Sequence, residues 1–319
     1  MSLHPARRQD PRAPAPAPVV AQLAETGWAS LGPAVEPAAC AAALEGARAT
    51  RRFDAGLFLS EAAYLADPQH KGVNPRPGRN LAQDLAALMA PIEAAPAIQE
   101  ALAAILGAGW SILDRKFVCG VAEADIPEWV LARIRGKGVN NLGAYIRPEY
   151  RDVTYFWGID YHQDIIDWPG RTADFITLYV YLHAVTAADA PLFLLPGSHA
   201  LGATEFPHSL ERTGGDGWLY ADRRGQQRRL TETRLLGPAG TVGLWHPFTL
   251  HGTQPTASDA PRLSLRYLLA RGPGAAGLDL VNARVQGPLA SPAVRCDLDA
   301  SGRAAVSGNS ITSAVPSDA

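Results

Sequence analysis

The stretch DFITLYVYLHAV, residues 174–185, constrains this chain more than any other part of it. Ile176, Leu178, Val180, Leu182 and Ala184 alternate with Phe175, Thr177, Tyr179, Tyr181 and His183. Side chains on a strand project to opposite faces in turn, so the two rows look in opposite directions. One row is expected to face a layer of helices and the other a cavity.

Further strands are expected at 109–120, 142–147, 191–196, 241–252 and 263–270, separated by Gly, Pro and Asp turns. Upstream, EPAACAAALEGARA (36–49) and NLAQDLAALMAPIEAAPAIQEALAAIL (80–106) carry helical periodicity, the second broken by Pro91 and Pro96. Helices first and many short strands afterwards predict a mainly β chain with flanking α-helices, a barrel or jelly roll buttressed on one side. Residues 1–18, with their run of prolines, read as a disordered tail, 19–289 as a single domain, and 290–319 as an extension that is draped or disordered.

Composition narrows the partners. Twenty-nine basic side chains against 31 acidic ones leave no positive field for nucleic acid or an anionic membrane. A small-molecule substrate is therefore expected, with no nucleic acid and no membrane. Cys40, Cys119 and Cys296 are widely spaced, without the CxxC spacing of a zinc or redox site. They read as reduced thiols, and with no signal-peptide core visible the expected location is cytoplasmic.

The chemistry starts at YHQD, residues 161–164. On a strand, His162 and Asp164 project from one face and offer one nitrogen and one oxygen donor. His251, in LHGT, is the candidate third ligand, 87 residues after Asp164. Two histidines and one carboxylate on one face of a metal are the donor set of non-haem Fe(II) oxygenases, which leaves positions open for an oxo-acid and O2. Arg262 lies eleven residues after His251. Its planar fork suits the distal carboxylate of 2-oxoglutarate, and Thr253 can add a hydroxyl donor.

In HxD, PLFLLPGSH (191–199), HGT with Arg262, and the opening LAETGWASLGPAVEPAACAAAL (23–44), the chain resembles the phytanoyl-CoA dioxygenase family of Fe(II)/2-oxoglutarate oxygenases over roughly residues 19–272. The resemblance implies a double-stranded β-helix fold. It also implies His162, Asp164 and His251 as iron ligands, Arg262 and Thr253 on the cosubstrate, and O2 as the second cosubstrate. The expected outcome is hydroxylation of an unactivated C–H bond of a small polar metabolite or a specialised-metabolite intermediate, with release of succinate and CO2. Halogenating members replace the carboxylate, and Asp164 is present here. Where the family usually has an acidic residue near His183 and an Asn-Gly before the PGSH strand, this chain has LHAVTAADAPLF.

Rivals stand beside each assignment. His246 competes with His251, although a five-residue offset puts the two on opposite faces of an unbroken strand. Arg266 shares a face with Arg262 and reads as a guanidinium paired in the core or behind the ligands, and His199 as a residue that fixes its loop. Trp157, Tyr179, Tyr181, Trp168 and Trp245 are candidates for a substrate pocket, or equally for packing inside a barrel. The arginine-rich DRRGQQRRLTETR (222–234) reads as a solvated loop; its functional reading is a rim that attracts an anionic or carrier-bound substrate. A cupin-like metal enzyme without a cosubstrate, and an inactive barrel kept as a binding module, are the alternatives. In the first of these Arg262 is idle.

Overall fold

The computed structural model describes residues 17–66, 80–135, 139–168, 170–204, 209–222, 225–253 and 258–290. Its strands are β1 (Trp28–Pro33), β2 (Ser111–Gly120), β3 (Val139–Asn141), β4 (Thr154–His162), β5 (Phe175–Tyr181), β6 (Leu192–Leu194), β7 (Ser209–Gly214), β8 (Gly217–Ala221), β9 (Gln227–Thr231), β10 (Thr233–Leu235), β11 (Thr241–Trp245), β12 (His251–Thr253) and β13 (Arg262–Ala270). The helices are α1 (Pro18–Thr26), α2 (Pro37–Thr50), α3 (Glu61–Ala66), α4 (Leu81–Asp84), α5 (Ala86–Glu93), α6 (Pro96–Leu106), α7 (Glu128–Ile134) and α8 (Ala276–Asn282).

One sheet runs β1-β11-β5-β13-β2-β4-β12-β6-β10, with β3 joined to β4 beside that path. Its inner face closes on itself. Tyr179 and Tyr181 of β5, Trp245 of β11, Val118 of β2, Leu192 and Leu194 of β6 and Leu235 of β10 meet in one buried cluster. The expected mainly β barrel with flanking helices, a double-stranded β-helix, is what forms.

The alternation in 174–185 sets the layers. Ile176, Leu178, Val180 and Leu182 share the large core with Leu263, Leu265, Tyr267 and Leu269 of β13, Val242 and Leu244 of β11, and helix residues such as Met89, Leu102 and Ile105. Each of these side chains contributes on the order of 2 kcal/mol on leaving water. That row therefore clamps the strand to the helices and leaves the opposite row to line the barrel. Since directly paired residues share a face, the same register turns Arg262, Ser264 and Arg266 of β13 inward.

Several local expectations change. The strand expected at 142–147 is a 3-10 turn, Gly143–Tyr145, preceded by the short β3. The segment 241–252 is not one strand: β11 ends at Trp245, Pro247 follows, and β12 begins at His251. Pro91 lies inside α5, and the chain bends by 72° between α5 and α6 instead. There Ala95, held extended at ψ 124 before Pro96, cannot continue a helix. Among the described residues no single helix is long and apolar enough to cross a membrane.

Within the arginine-rich segment, expected as a loop, Gln227–Thr231 form β9 of a separate three-stranded sheet, β7-β8-β9, and Thr233 and Arg234 enter β10 of the barrel sheet. The segment's signal was weak because apolar residues on it are few and widely set. Trp218, Tyr220 and Leu230 cover Tyr161, Phe193 and Leu195 on the outside of the barrel. Glu232 fastens the two layers: its Oε2 accepts from Tyr161 Oη at 2.7 Å and Trp218 Nε1 at 3.2 Å, and Oε1 accepts from Arg234 Nε at 3.1 Å. Of the arginines singled out, Arg223 and Arg224 lie outside the described residues, Arg228 is half-buried and Arg229 exposed. Cys40 and Cys119 are free, buried thiols, and Cys296 lies outside the described residues.

Candidate active site

His162 is the last residue of β4, and Asp164 opens a 3-10 turn, Asp164–Asp167, with Gln163 extended between them at φ −109 and ψ 138. The two are therefore not both on a strand, as expected from spacing alone. Gln163 supplies the one extended step that keeps them on the same side. Its buried amide donates to the Gly202 and Phe248 carbonyls at 2.8 and 2.7 Å and accepts from Thr204 N–H at 2.9 Å, so the step cannot rotate freely.

His251 pairs directly with His162 across β12 and β4, and the two ring centroids are 4.3 Å apart. One ligand atom from each of His162, Asp164 and His251 lies within 4.8 Å of the others. The tautomers follow from the hydrogen bonds. His162 Nδ1 lies 2.9 Å from the Asp160 carbonyl and His251 Nδ1 3.0 Å from the Thr249 carbonyl. A carbonyl oxygen only accepts, so each neutral ring carries its proton on Nδ1 and leaves the Nε2 lone pair for a cation.

Asp164 is held by residues from three strands. Its Oδ2 accepts from Thr177 Oγ1 at 2.5 Å and from Trp245 Nε1 at 2.8 Å, and Oδ1 pairs with Arg266 Nη2. Burial opposes ionisation, but Arg266, His251, His162 and Thr177 together hold the carboxyl well below the usual carboxylate range. The His251 imidazole is pushed down to about 3, first by burial and against the pull of Asp164. An ionised carboxylate beside two neutral imidazoles is the protonation state that binds a divalent metal.

Arg262 lies deeper in the barrel at 1% exposure, and its Nε, Nη1 and Nη2 have no hydrogen-bond partner. Its guanidinium sits among the rings of Phe156, Tyr179 and Tyr181, 5.3, 5.7 and 5.8 Å from their centroids. The Ser264 hydroxyl, two residues on and inward-facing, is buried and likewise unpartnered. In the sequence, the signal that marks it is the two-residue spacing from Arg262 on a strand. A buried cation with three idle donors is costly unless an anion completes it.

Thr253 lies on β12 beside His251, and its Oγ1 donates to the Ala190 carbonyl at 2.8 Å. Ala190 itself lies in the left-handed region at φ 51, a conformation that favours glycine. Asp189–Ala190 thus fills the turn where Asn-Gly was expected.

Among the aromatic candidates, Tyr179, Tyr181 and Trp245 line the interior, and Trp245 also lies against His251 at 4.8 Å. Trp157 does not: its side chain belongs to the core between sheet and helices. Tyr155 and Trp157 both join that core while Phe156 between them joins the interior cluster, so Trp157 stands on the face opposite His162, five residues on. Trp168 packs with Phe175 and Arg171 in a separate cluster.

His199 and His246 are parts of the scaffold. His199 reaches the Ala24 carbonyl at 3.3 Å, and its ring lies against Gly27, where an added Cβ would stand 2.5 Å from Nδ1. Gly27, at φ 79, is required there for both space and conformation. His246 Nε2 donates to Asn282 Oδ1 at 2.9 Å, tying β11 to α8. Burial pushes His246 down to about 3 and His199 to about 4. The unfolded chain therefore takes up protons near the ordinary 6.5 while the folded one refuses them until about 3. Stability is full above that upper value and is lost as the pH falls through the interval. Urea midpoints are expected to drop by roughly 2 kcal/mol of stability between neutral pH and mild acid, and less steeply in His246→Gln. An unchanged slope in that variant would remove His246 as a cause.

Comparison with known proteins matches this geometry to a family. The model of the phytanoyl-CoA dioxygenase (PhyH) family matches residues 123–264, a stretch that holds His162, Asp164, His251, Arg262 and Ser264. A probable alpha-ketoglutarate-dependent hypophosphite dioxygenase of Stutzerimonas stutzeri is 34% identical over 120 residues, which is 35% of this chain and 38% of that relative. The match thus spans well under half of the relative's length. Among solved structures, the non-heme alpha ketoglutarate dependent epimerase SnoN from nogalamycin biosynthesis superposes with a TM-score of 0.49 at 17% identity, over 79% of each chain. EctD from S. alaskensis with 2-oxoglutarate and 5-hydroxyectoine gives 0.45 at 14%, over 83% of this chain and 79% of that one. The family that the strands carrying the cluster match is thus the phytanoyl-CoA dioxygenase (PhyH) family, over residues 123–264.

Proposed function

We propose that the protein is an Fe(II)/2-oxoglutarate-dependent oxygenase that hydroxylates a C–H bond of a small polar metabolite or a biosynthetic intermediate. The observation that carries the reading is the pairing of a two-histidine, one-carboxylate cluster with the buried, unpartnered guanidinium of Arg262. The donor chemistry fits the metal, and the idle donors fit an anion in the same barrel. A metal enzyme without a cosubstrate leaves Arg262 buried and unpaired, which is why that alternative is weaker. The curated relative, named for 2-oxoglutarate and for hypophosphite, supports the same cosubstrate and a small substrate.

In this reading His162, Asp164 and His251 hold the metal on one side and leave the other side to ligands. When bound, iron with 2-oxoglutarate and O2 supplies the oxidising chemistry, converting the cosubstrate to succinate and CO2 as one oxygen atom enters the substrate. Arg262 and Ser264 bind the far carboxylate of the cosubstrate. Four residues of strand, roughly 13 Å, separate Arg262 from Arg266, so Arg262 serves the far carboxylate while Arg266 stays with Asp164. Thr177, Trp245 and Arg266 keep Asp164 ionised and aimed, and the aromatic wall excludes water from the space between.

An anaerobic titration of the apoprotein with Fe(II) and then 2-oxoglutarate tests this. A weak visible charge-transfer band is expected to grow with the oxo-acid. Iron uptake with no band at saturating 2-oxoglutarate would refute the cosubstrate.

A further inference from the structure

His183 stands two residues beyond Tyr181, where β5 ends. The ladder between β5 and β13 begins with Tyr181 opposite Ser264, so Arg262 and Leu263 extend past it on that side. On the other side both still pair with β2, Arg262 with Gly120 and Leu263 with Cys119. A side chain takes over where β5 stops: the Leu263 N–H donates to His183 Nε2 at 3.1 Å. Leu263 is fully buried, and a buried N–H without an acceptor is costly, so the imidazole supplies what the strand no longer does.

The two bonds of the ring fix its protonation. Nε2 accepts from Leu263 and therefore carries a lone pair, while Nδ1 lies 2.9 Å from the Ala184 carbonyl, which only accepts. The proton sits on Nδ1 and the ring is neutral. Burial first, and then the charges of Arg262 and Arg48, push the imidazole below its ordinary value against the Ala184 bond and Asp189. The half-buried ring thus stays an acceptor at neutral pH. None of the groups that act on it is a metal ligand.

The bond falls on the peptide that joins Arg262 to Leu263. That plane is rigid, and its orientation is the ψ angle of Arg262, so holding it helps to set the direction in which the Arg262 side chain leaves the strand. Upstream, Pro261 has no N–H with which to make a second anchor. The guanidinium lies among the rings of Phe156, Tyr179 and Tyr181, and its aim therefore rests on the backbone that carries it.

Resting on the reading of Arg262 as the anchor of the far carboxylate, we infer that His183 is a positioning residue for the cosubstrate, a neutral acceptor on the Leu263 N–H that holds Arg262 ready for 2-oxoglutarate. Its influence falls on the oxo-acid and not on the metal.

The test compares His183→Leu, which keeps bulk and removes the acceptor, with His183→Gln, whose amide oxygen reaches about as far as Nε2. Full-length proteins are loaded with Fe(II) without oxygen and titrated with 2-oxoglutarate, and Co(II) affinity is measured separately. His183→Leu is expected to weaken 2-oxoglutarate by at least about fivefold, the loss of one ordinary hydrogen bond, and His183→Gln to stay within about twofold of wild type. Co(II) affinity is expected to be unchanged in both. Added to Arg262→Met, His183→Leu should cost no more than about twofold further, because the residue through which it acts is gone. Undiminished 2-oxoglutarate binding by His183→Leu overturns the inference, as does an equal loss in His183→Gln. A parallel loss of Co(II), or full additivity with Arg262→Met, makes the role of His183 merely structural and overturns it too. Failure of wild-type protein to bind 2-oxoglutarate is a separate result, and it removes the cosubstrate reading on which the inference rests.

Discussion

Asp164→Ala and His162→Ala are both expected to lose the metal, but the first is expected to lose far more stability as well. Each removes one of three protein donors, and the affinity for Co(II), followed by its visible bands, should fall at least about 100-fold in either variant. Turnover should fall to background with it. The difference lies behind the ligands. Asp164 accepts from Thr177 and Trp245 and pairs with Arg266, and all of these are left unsatisfied when the carboxylate goes. Uncovering a largely buried guanidinium alone costs about 3–5 kcal/mol. His162 donates to a backbone carbonyl, that of Asp160, and losing one such bond costs roughly 1 kcal/mol. Urea unfolding of the two apoproteins should therefore separate them widely. Normal Co(II) affinity in either variant would remove that residue from the ligand set, and equal stability would mean that the Arg266 pair does not hold Asp164.

Arg262→Met is expected to act in the opposite direction on stability. The native guanidinium is buried at 1% exposure with none of its three nitrogens paired, so the folded apoprotein carries a desolvated charge that only surrounding rings offset. A methionine of similar length removes that cost, and the apoprotein should gain on the order of 1–3 kcal/mol. The same change removes the bidentate partner of the distal carboxylate. The dissociation constant for 2-oxoglutarate should rise at least about 100-fold, while Co(II) binding stays as in wild type. Residues kept for function at the expense of the fold have this signature. A variant that binds 2-oxoglutarate normally would end the assignment. One that loses stability would show that Arg262 supports the apo fold itself.

How much of this was legible before the structure depends on how local the cause is. The alternation in 174–185 separated the two faces of β5 because a strand's period of two is a property of the backbone alone, and the core shows the same division and assigns the aliphatic row to the helices. Alternation failed where the backbone departs from that period, at Asp164, which begins a 3-10 turn. The donor set of His162, Asp164 and His251 could be collected by residue type and order. The outer sheet of β7, β8 and β9 could not, because few apolar residues mark it among the arginines.

By itself the sequence determined the barrel class, the two layers and the metal-binding donor types, since periodicity and side-chain chemistry are carried residue by residue. Only the tertiary structure decided which arginine meets a carboxylate and which stands alone. Asp164 draws its donors from 13, 81 and 102 residues away, on β5, β11 and β13. Arg262 and Arg266 share one face of one strand, and their roles differ through strand register, which places Asp164 beside one and three aromatic rings around the other. Register is a sum over many packing contacts distant in sequence, and no short stretch of the chain encodes it.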